Sequence, residues 1–282
     1  MRLWKPLKNS ALAVTSKPIT GGALLPSAAI ADDYQRAVVI LIRKMADETK
    51  RELRRMFDDP AYAMDAIADG NPASRARIII NRLIEKYEPI FNKWAKKSTD
   101  RMIARTLKSS TITLGMSLKE FGEHIDIRAD LMNDRMREII TASTNEGAQL
   151  IKTIPSSYLA EVQGQVMRSI TSGRGLQDLI PFMNTHYGQA VRKARNVAFD
   201  QTRKAYASVN AARLQASGVK KFEWRHSHGG KNPRKQHEEW NGKIFSFDDL
   251  PIDDRFGPVI PGQAIGCGCF AKPVLSFGDD DE

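Results

Sequence analysis

Apolar side chains recur every three to four residues over most of the chain. Between residues 31 and 58, Tyr34, Val38, Leu41, Met45, Leu53 and Met56 fall near helical spacing. Lys50, Arg51, Arg54 and Arg55 lie between them, which gives one apolar and one basic face. Asp58-Asp59-Pro60 supplies a stop signal. Asn71-Pro72 reads as an N-cap followed by a first-turn proline. The next helix carries Ile79, Leu83, Tyr87, Ile90 and Trp94 as its stripe. Further helices are expected from 100 to 109 and from 130 to 152, the latter with Met132, Met136, Ile139 and Ile140. Such stripes predict packed core rather than ligand-binding surfaces.

Pro155-Ser156-Ser157 reads as the start of a new unit, with a serine capping a helix to about residue 172. Gly173-Arg174-Gly175 predicts a turn. Residues 176–187 predict a short amphipathic helix, and 190–217 a long one carrying Val191, Ala194, Val197, Ala198, Ala205, Val209, Ala212 and Leu214. Gly218 fits the position just past its end. Beyond it the period changes. Residues 219–226 and 243–247 predict two strands within a Gly-, Pro- and Asp-rich loop region. The expected fold is mainly α with a small α+β C-terminal domain, long helices leading into a short-stranded, loop-rich cap. The expected division is an extended arm (1–30), a helical N-terminal domain (31–155), a C-terminal domain (156–278) and an acidic tail (279–282). The arm is rich in Pro, Gly, Ala and Ser and lacks a period, so it is expected to be disordered or draped over a neighbour.

The longest apolar run of the first half, Ala37 to Ile42, ends at Arg43, far short of a membrane span. Lys17, Pro18, Gly21 and Gly22 interrupt any signal-peptide core. Two cysteines separated by one residue do not make a secreted disulfide framework, which points to a reducing compartment. The formal charge of +10 favours an acidic partner, with double-stranded DNA the leading candidate. Arg43, Lys44, Lys50, Arg51, Arg54 and Arg55 are the candidate phosphate contacts. No helix-turn-helix, RRM or common zinc-finger spacing is present, so such contacts would be blind to sequence.

The candidate chemistry is concentrated near the C-terminal end. Three of the five histidines and both cysteines fall between Trp224 and Cys269. In extended backbone, residues i and i+2 face the same side. His226 with His228, and Cys267 with Cys269, could thus present a tetrahedral set to a zinc ion, the candidate cofactor. The alternative is that the thiols are small buried hydrophobes and the histidines bond loop carbonyls.

The order of motifs in this region resembles a known family. Ala194-Arg195-Asn196 lies on a long helix. Trp224 follows on a strand, then Arg234-x-x-His237 and Asn241-Gly242, a Pro261-Gly262 loop, Cys267-x-Cys269 and Pro273. With the lead-in Ser172-Gly173-Arg174-Gly175-Leu176, this is similar to the C-terminal domain of the phage Mu protein F-like minor head, or head morphogenesis, proteins, over about residues 156–275. Asn196 and Val197 stand where many members have Thr-Glu, and Gly268 where many have Arg. The resemblance marks Arg234, His237, Gly242 and Pro261, with both cysteines, as structural determinants.

The resemblance implies a non-enzymatic minor capsid component of a tailed bacteriophage. Such a protein would be bound near the portal inside the head and made in the host cytoplasm. It would assist procapsid assembly, with a part in DNA packaging or genome ejection. The implied partners are the portal protein and the major capsid or scaffolding protein. The competing reading is a metal-dependent nuclease or toxin-like enzyme using His226, His228, His237, Glu238, Glu239 and Asp248. It lacks the spacing that sets a base beside a metal-binding histidine pair.

Overall fold

Four long helices carry most of the described chain: α1 (Ala28–Asp58), α2 (Pro72–Leu118), α3 (Asp134–Thr171) and α4 (Leu176–Ala216). The computed structural model describes residues 18–59, 72–119, 121, 132–229 and 233–276. The Asn71 cap, the first 17 residues of the arm and the acidic tail lie outside them. The mainly α fold with a small α+β cap is the architecture observed.

The helices share one core. Val38, Ile42, Met45 and Leu53 of α1 meet Ile80, Leu83 and Phe91 of α2, Ile151, Leu159 and Val162 of α3, and Leu179, Ala194 and Ala198 of α4. The α1 stripe is as expected, with Leu41 at its margin. In α2 the buried line is Ala76, Ile80, Leu83, Tyr87, Phe91 and Ala95, while Ile90 is exposed. Neighbouring apolar residues at 78–80 and 90–91 allow two registers, and packing against α1 selects this one.

Three expected interruptions are absent. α2 runs unbroken through residues 95–100 to Leu118, because its inner face continues with Thr99, Thr106, Ser110 and Ser117. These small polar side chains are buried with partners. Thr99 shares a 2.7 Å hydrogen bond with the Tyr34 hydroxyl, Ser110 donates to Asn210 Oδ1 at 2.6 Å, and Ser117 donates to the Gly22 carbonyl at 2.6 Å. Pro155 does not open a new helix but lies buried inside α3, and α4 continues through Gly188. A proline removes one N–H from a helix, and tertiary packing can offset that loss. The expected boundary at 155/156 thus falls within a helix whose core-facing residues, Ile151, Ile154, Tyr158 and Leu159, lie on both sides of it.

The turn at Gly173 and Gly175 is as expected, with φ of +69° and +53°. So is the end of α4, where Gly218 has φ of +80° and the Val219 N–H closes onto the Leu214 carbonyl at 2.9 Å. α3 is capped by Asn133, whose Oδ1 accepts the Met136 N–H at 2.9 Å.

Glu48 ties α1 to α2. Its carboxylate accepts Lys86 Nζ at 2.6 and 2.7 Å and the Tyr87 hydroxyl at 2.6 Å. The Lys86 hydrogen bond, then that from Tyr87, holds this carboxyl below its ordinary range. A depressed carboxyl stabilises the fold above its unfolded pKa and ceases to do so as pH falls through the lower folded value. Glu48→Gln should therefore lower the melting temperature at neutral pH. The gap from wild type should close below about pH 4, read by melting curves across pH.

The C-terminal part holds a four-stranded antiparallel sheet: β1 (Ile19–Thr20), β2 (Lys221–Arg225), β3 (Ile244–Ser246) and β6 (Phe270–Leu275), in the order β1-β6-β2-β3. β4 (Ile252–Asp253) pairs with β5 (Gly257–Pro258), and a short helix, α5 (Lys235–Glu239), lies between β2 and β3. The expected strands at 219–226 and 243–247 are β2 and β3. The arm is draped, not free, over its described part. Ile19 pairs with Leu275, Leu24 bridges to Ala271, and α1 begins before residue 30. Leu24 is buried against Leu114, Leu118, Tyr206 and Leu214.

β6 was unexpected because it contains Pro273. The Pro273 carbonyl accepts the Gly21 N–H at 2.8 Å, on the β1 side. In a strand, a residue's N–H and C=O point to the same neighbour. The missing N–H thus faces the two-residue strand β1, and the ladder to β2 is uninterrupted.

Candidate functional site

Under this sheet lies a second core built around Trp224. β2 alternates, so Phe222 and Trp224 point inward while Lys221, Glu223 and Arg225 do not. Trp224 meets His237 and Trp240 edge-on, each at 4.8 Å between ring centroids. Trp240 stacks on His237 at 5.1 Å. Gly242 makes the return to β3 with φ of +80°, and its N–H reaches the Trp224 carbonyl at 2.7 Å. A side chain at that φ would be strained.

α5 places His237 in the middle of this core, 2% exposed. The cysteines arrive from the other side, on the loop before β6. Gly262 and Gly266 turn that loop at φ of +88° and +71°. The Cys267 N–H bonds to the Ala264 carbonyl at 2.9 Å, and the Gly266 N–H to Asp200 Oδ1 of α4 at 2.9 Å. His237 Nδ1 lies 3.5 Å from Cys267 Sγ and 3.7 Å from Cys269 Sγ. On the far side of the ring, Nε2 lies 2.9 Å from Asp253 Oδ2. A carboxylate can only accept, so Nε2 carries the proton and Nδ1 turns a lone pair toward the two sulfurs.

Asp253 is itself held in place. Its Oδ1 accepts the N–H groups of Arg255 at 2.8 Å and Phe256 at 3.0 Å, and Arg234 Nε lies 3.8 Å from Oδ2. Burial alone would raise this carboxyl, but these N–H groups and His237 outweigh it and hold it below the usual range. The thiols divide one proton unequally. The Cys269 thiol donates toward Cys267 and lowers it, against burial and with help from the N–H groups of Cys269 and Gly262. Cys269 is raised in turn, first by Cys267 and then by burial. Asp200 is also raised by burial, partly offset by the Gly266 N–H.

The four-residue set of His226, His228, Cys267 and Cys269 does not converge. Among the described residues, the group of three His and Cys side chains whose ligand atoms all lie within 4.8 Å of one another is His237, Cys267 and Cys269. The i, i+2 argument fails for the histidine pair because β2 ends at Arg225 and His228 has φ of +52°. Their rings face each other instead, Nδ1 to Nδ1 at 3.4 Å, with His226 buried and His228 exposed. For the cysteines the argument holds. The nuclease set does not converge either: Glu238, Glu239 and Asp248 are exposed, while both ring nitrogens of His237 are committed.

Arg234 and Pro261 lie at the edges of the site. Arg234 donates to the Ile265 carbonyl at 2.7 Å and lies 5.0 Å over the Phe256 ring, so it joins the α5 and cysteine loops. Pro261 lines a small apolar cavity with Leu24, Tyr206 and Cys269. Asp253, Asp200 and Trp240 were not singled out in the sequence. Asp253 sits in an Asp-Asp pair before a turn, a pattern that reads equally well as solvated loop.

The six α1 cations occupy one helix face, at i, i+1, i+7, i+8, i+11 and i+12. Lys44, Arg51, Arg54 and Arg55 are exposed there, although Arg55 pairs with Glu52 at 3.2 Å. Arg43 and Lys50 also reach α4, donating to the Tyr187 hydroxyl at 3.5 Å and to Asn184 Oδ1 at 3.2 Å.

The family model described as Phage Mu protein F like protein matches residues 160–272, from the second half of α3 through the cysteine loop into β6. Residues 160–272 are thus similar to that family's domain. The match contains every residue of the buried His–Cys–Asp cluster. An uncharacterized protein of Haemophilus influenzae is 28% identical over 244 residues. That alignment covers 86% of this chain and 52% of the relative, so the chain spans about half the relative's length. No solved structure matches. Among the described residues, no helix is long and apolar enough to cross a membrane.

Proposed function

We propose that this chain is a minor head protein of a tailed bacteriophage, bound near the portal inside the head, where it assists procapsid assembly and contacts packaged DNA. The observation that carries the reading is the F-like domain at residues 160–272. Two features support it. His237, Cys267, Cys269 and Asp253 are spent on one another in a buried core, which suits a structural part better than a catalyst. The exposed basic face of α1, on a chain of net charge +10, suits a protein close to DNA. The helical region before residue 160 is the part we assign to the portal or capsid contact.

Quantitative proteomics of purified procapsids and mature virions tests this reading. It expects the chain at low copy, cross-linked to portal or capsid subunits. Absence from both kinds of particle would overturn it. DNA contact has its own expected result. Binding to double-stranded DNA should be weak, independent of sequence and steeply dependent on salt. Reversing Lys44, Arg51 and Arg54 to Glu should reduce the slope of log K against log salt by about 2.7, near 0.9 per lost phosphate contact. An unchanged slope in a fluorescence-anisotropy titration would remove DNA from this face.

A further inference from the structure

The His237–Cys267–Cys269 cluster has the dimensions of a metal centre. Zinc bound to thiolate at about 2.3 Å and to imidazole at about 2.05 Å in a tetrahedron sets sulfur and nitrogen about 3.6 Å apart. The observed separations from His237 Nδ1 to the two sulfurs are 3.5 and 3.7 Å. Direct S–H···N hydrogen bonding explains one such contact, since one lone pair accepts one proton well. Two sulfurs converging on one ring nitrogen at these separations form the arrangement that a shared centre between them requires.

The surroundings suit anionic sulfur and a fixed imidazole. The N–H groups of Gly262 and Cys269 are directed at Cys267 Sγ, and that of Ser227 at Cys269 Sγ. Such donors stabilise thiolates. The Trp224 indole N–H is buried beside this cluster without a hydrogen-bond partner among the described residues. Gly268 allows the close approach on that side: a Cβ there would come within 2.6 Å of Ser227 Oγ. On the opposite side, the Asp253 carboxylate fixes the tautomer that leaves Nδ1 free to ligate. A carboxylate behind a ligating histidine is the usual outer-shell support of a zinc ligand.

We infer that His237 Nδ1, Cys267 Sγ and Cys269 Sγ bind one zinc ion, with a solvent molecule as fourth ligand and Asp253 as the positioning residue behind His237. The ligands are 2–6% exposed, so the ion lies within the core of the cap. It joins α5 to the loop before β6 and closes the segment between them. Binding releases the remaining thiol protons, so affinity falls with acidity. The inference rests on the cluster's geometry and not on the virion assignment, and a metal assay can fail or succeed whatever the particle proteomics shows.

The test uses the purified full-length chain. Elemental analysis should find a single zinc per chain. After removal by a chelator at mildly acid pH, Co(II) should restore a thiolate-to-cobalt charge-transfer band together with visible bands of tetrahedral intensity. Asp253→Asn should keep those bands but weaken zinc affinity by about 10–100-fold in a chelator competition, a readout that mere loss of packing would not give. Cys267→Ser should abolish the charge-transfer signature. Overturning results are a folded chain holding less than ~0.1 zinc after growth in zinc-supplemented medium, a chain that acquires no charge-transfer band with Co(II), and a native mass two hydrogens light that maps a disulfide to Cys267 and Cys269.

Discussion

Replacing Trp224 with alanine should unfold the C-terminal cap while the four-helix core persists. Trp224 is fully buried and touches His237, Trp240 and Phe245. Truncating a buried aromatic of this size costs about 3–5 kcal/mol, from lost transfer energy and the cavity left behind. The cap has little apolar surface with which to absorb that loss. Its core is Phe222, Trp224, Trp240, Val259, Ile260, Ala264 and the two cysteines, with Ala211 from α4. Near-ultraviolet circular dichroism should lose its tryptophan signal, while far-ultraviolet ellipticity stays close to wild type because the helices dominate it. A two-step denaturant curve, with the first step missing in Trp224→Ala, would locate the loss in the cap. A single unshifted transition would place the weight of the cap elsewhere.

Replacing Cys267 and Cys269 together with serine should have the second largest effect. Both thiols are buried and face one imidazole lone pair. Two hydroxyls in their place are shorter and more polar, and they do not replace thiolates as soft-metal ligands. Even without a metal, a buried polar group that loses its geometry costs about 1–3 kcal/mol. Two such groups should lower the melting temperature by roughly 5–15 °C. Limited proteolysis should then cut between residues 233 and 266, the segment held at its ends by α5 and the cysteine loop. An unchanged melt and an unchanged cleavage pattern would show that the thiols tie nothing down.

The helices were legible in the sequence because their inner faces are large and apolar. Val38, Met45, Leu53 and Leu83 announce a core at helical spacing, and Gly218 announces an end. Legibility failed where burial is achieved by other means. Thr99, Ser110 and Ser117 are as buried as leucines but read as surface, because what buries them is a hydrogen-bond partner far along the chain. Pro155 reads as a break and Pro273 stands in a segment that reads as loop, and each is tolerated because of what lies beside it in space. At the candidate site the same division holds. The cysteine pair was legible, since i and i+2 in extended chain share a face. The choice of His237 over His226 and His228 was not, because it depends on where a five-residue helix sets one ring relative to a loop thirty positions away. Asp253 was invisible for the same reason.

The strand order has a consequence for how the molecule is made. Among the described strands of this sheet, β6, which occupies an interior position, is the last to be synthesised and β1 the first. Ile19 waits for Leu275, and β2 and β3 have only each other until residues 270–275 arrive. Two strands alone form at most a marginal hairpin, and a contact of such long sequence separation forms late. The helices can therefore assemble during synthesis while the cap cannot. A chain stalled before residue 270 has a helical body but neither a closed sheet nor the pairing of β1 with β6. Any surface formed jointly by the sheet and the arm is thus displayed only after residues 270–275 have been made, and a partner that docks there selects against chains that lack them.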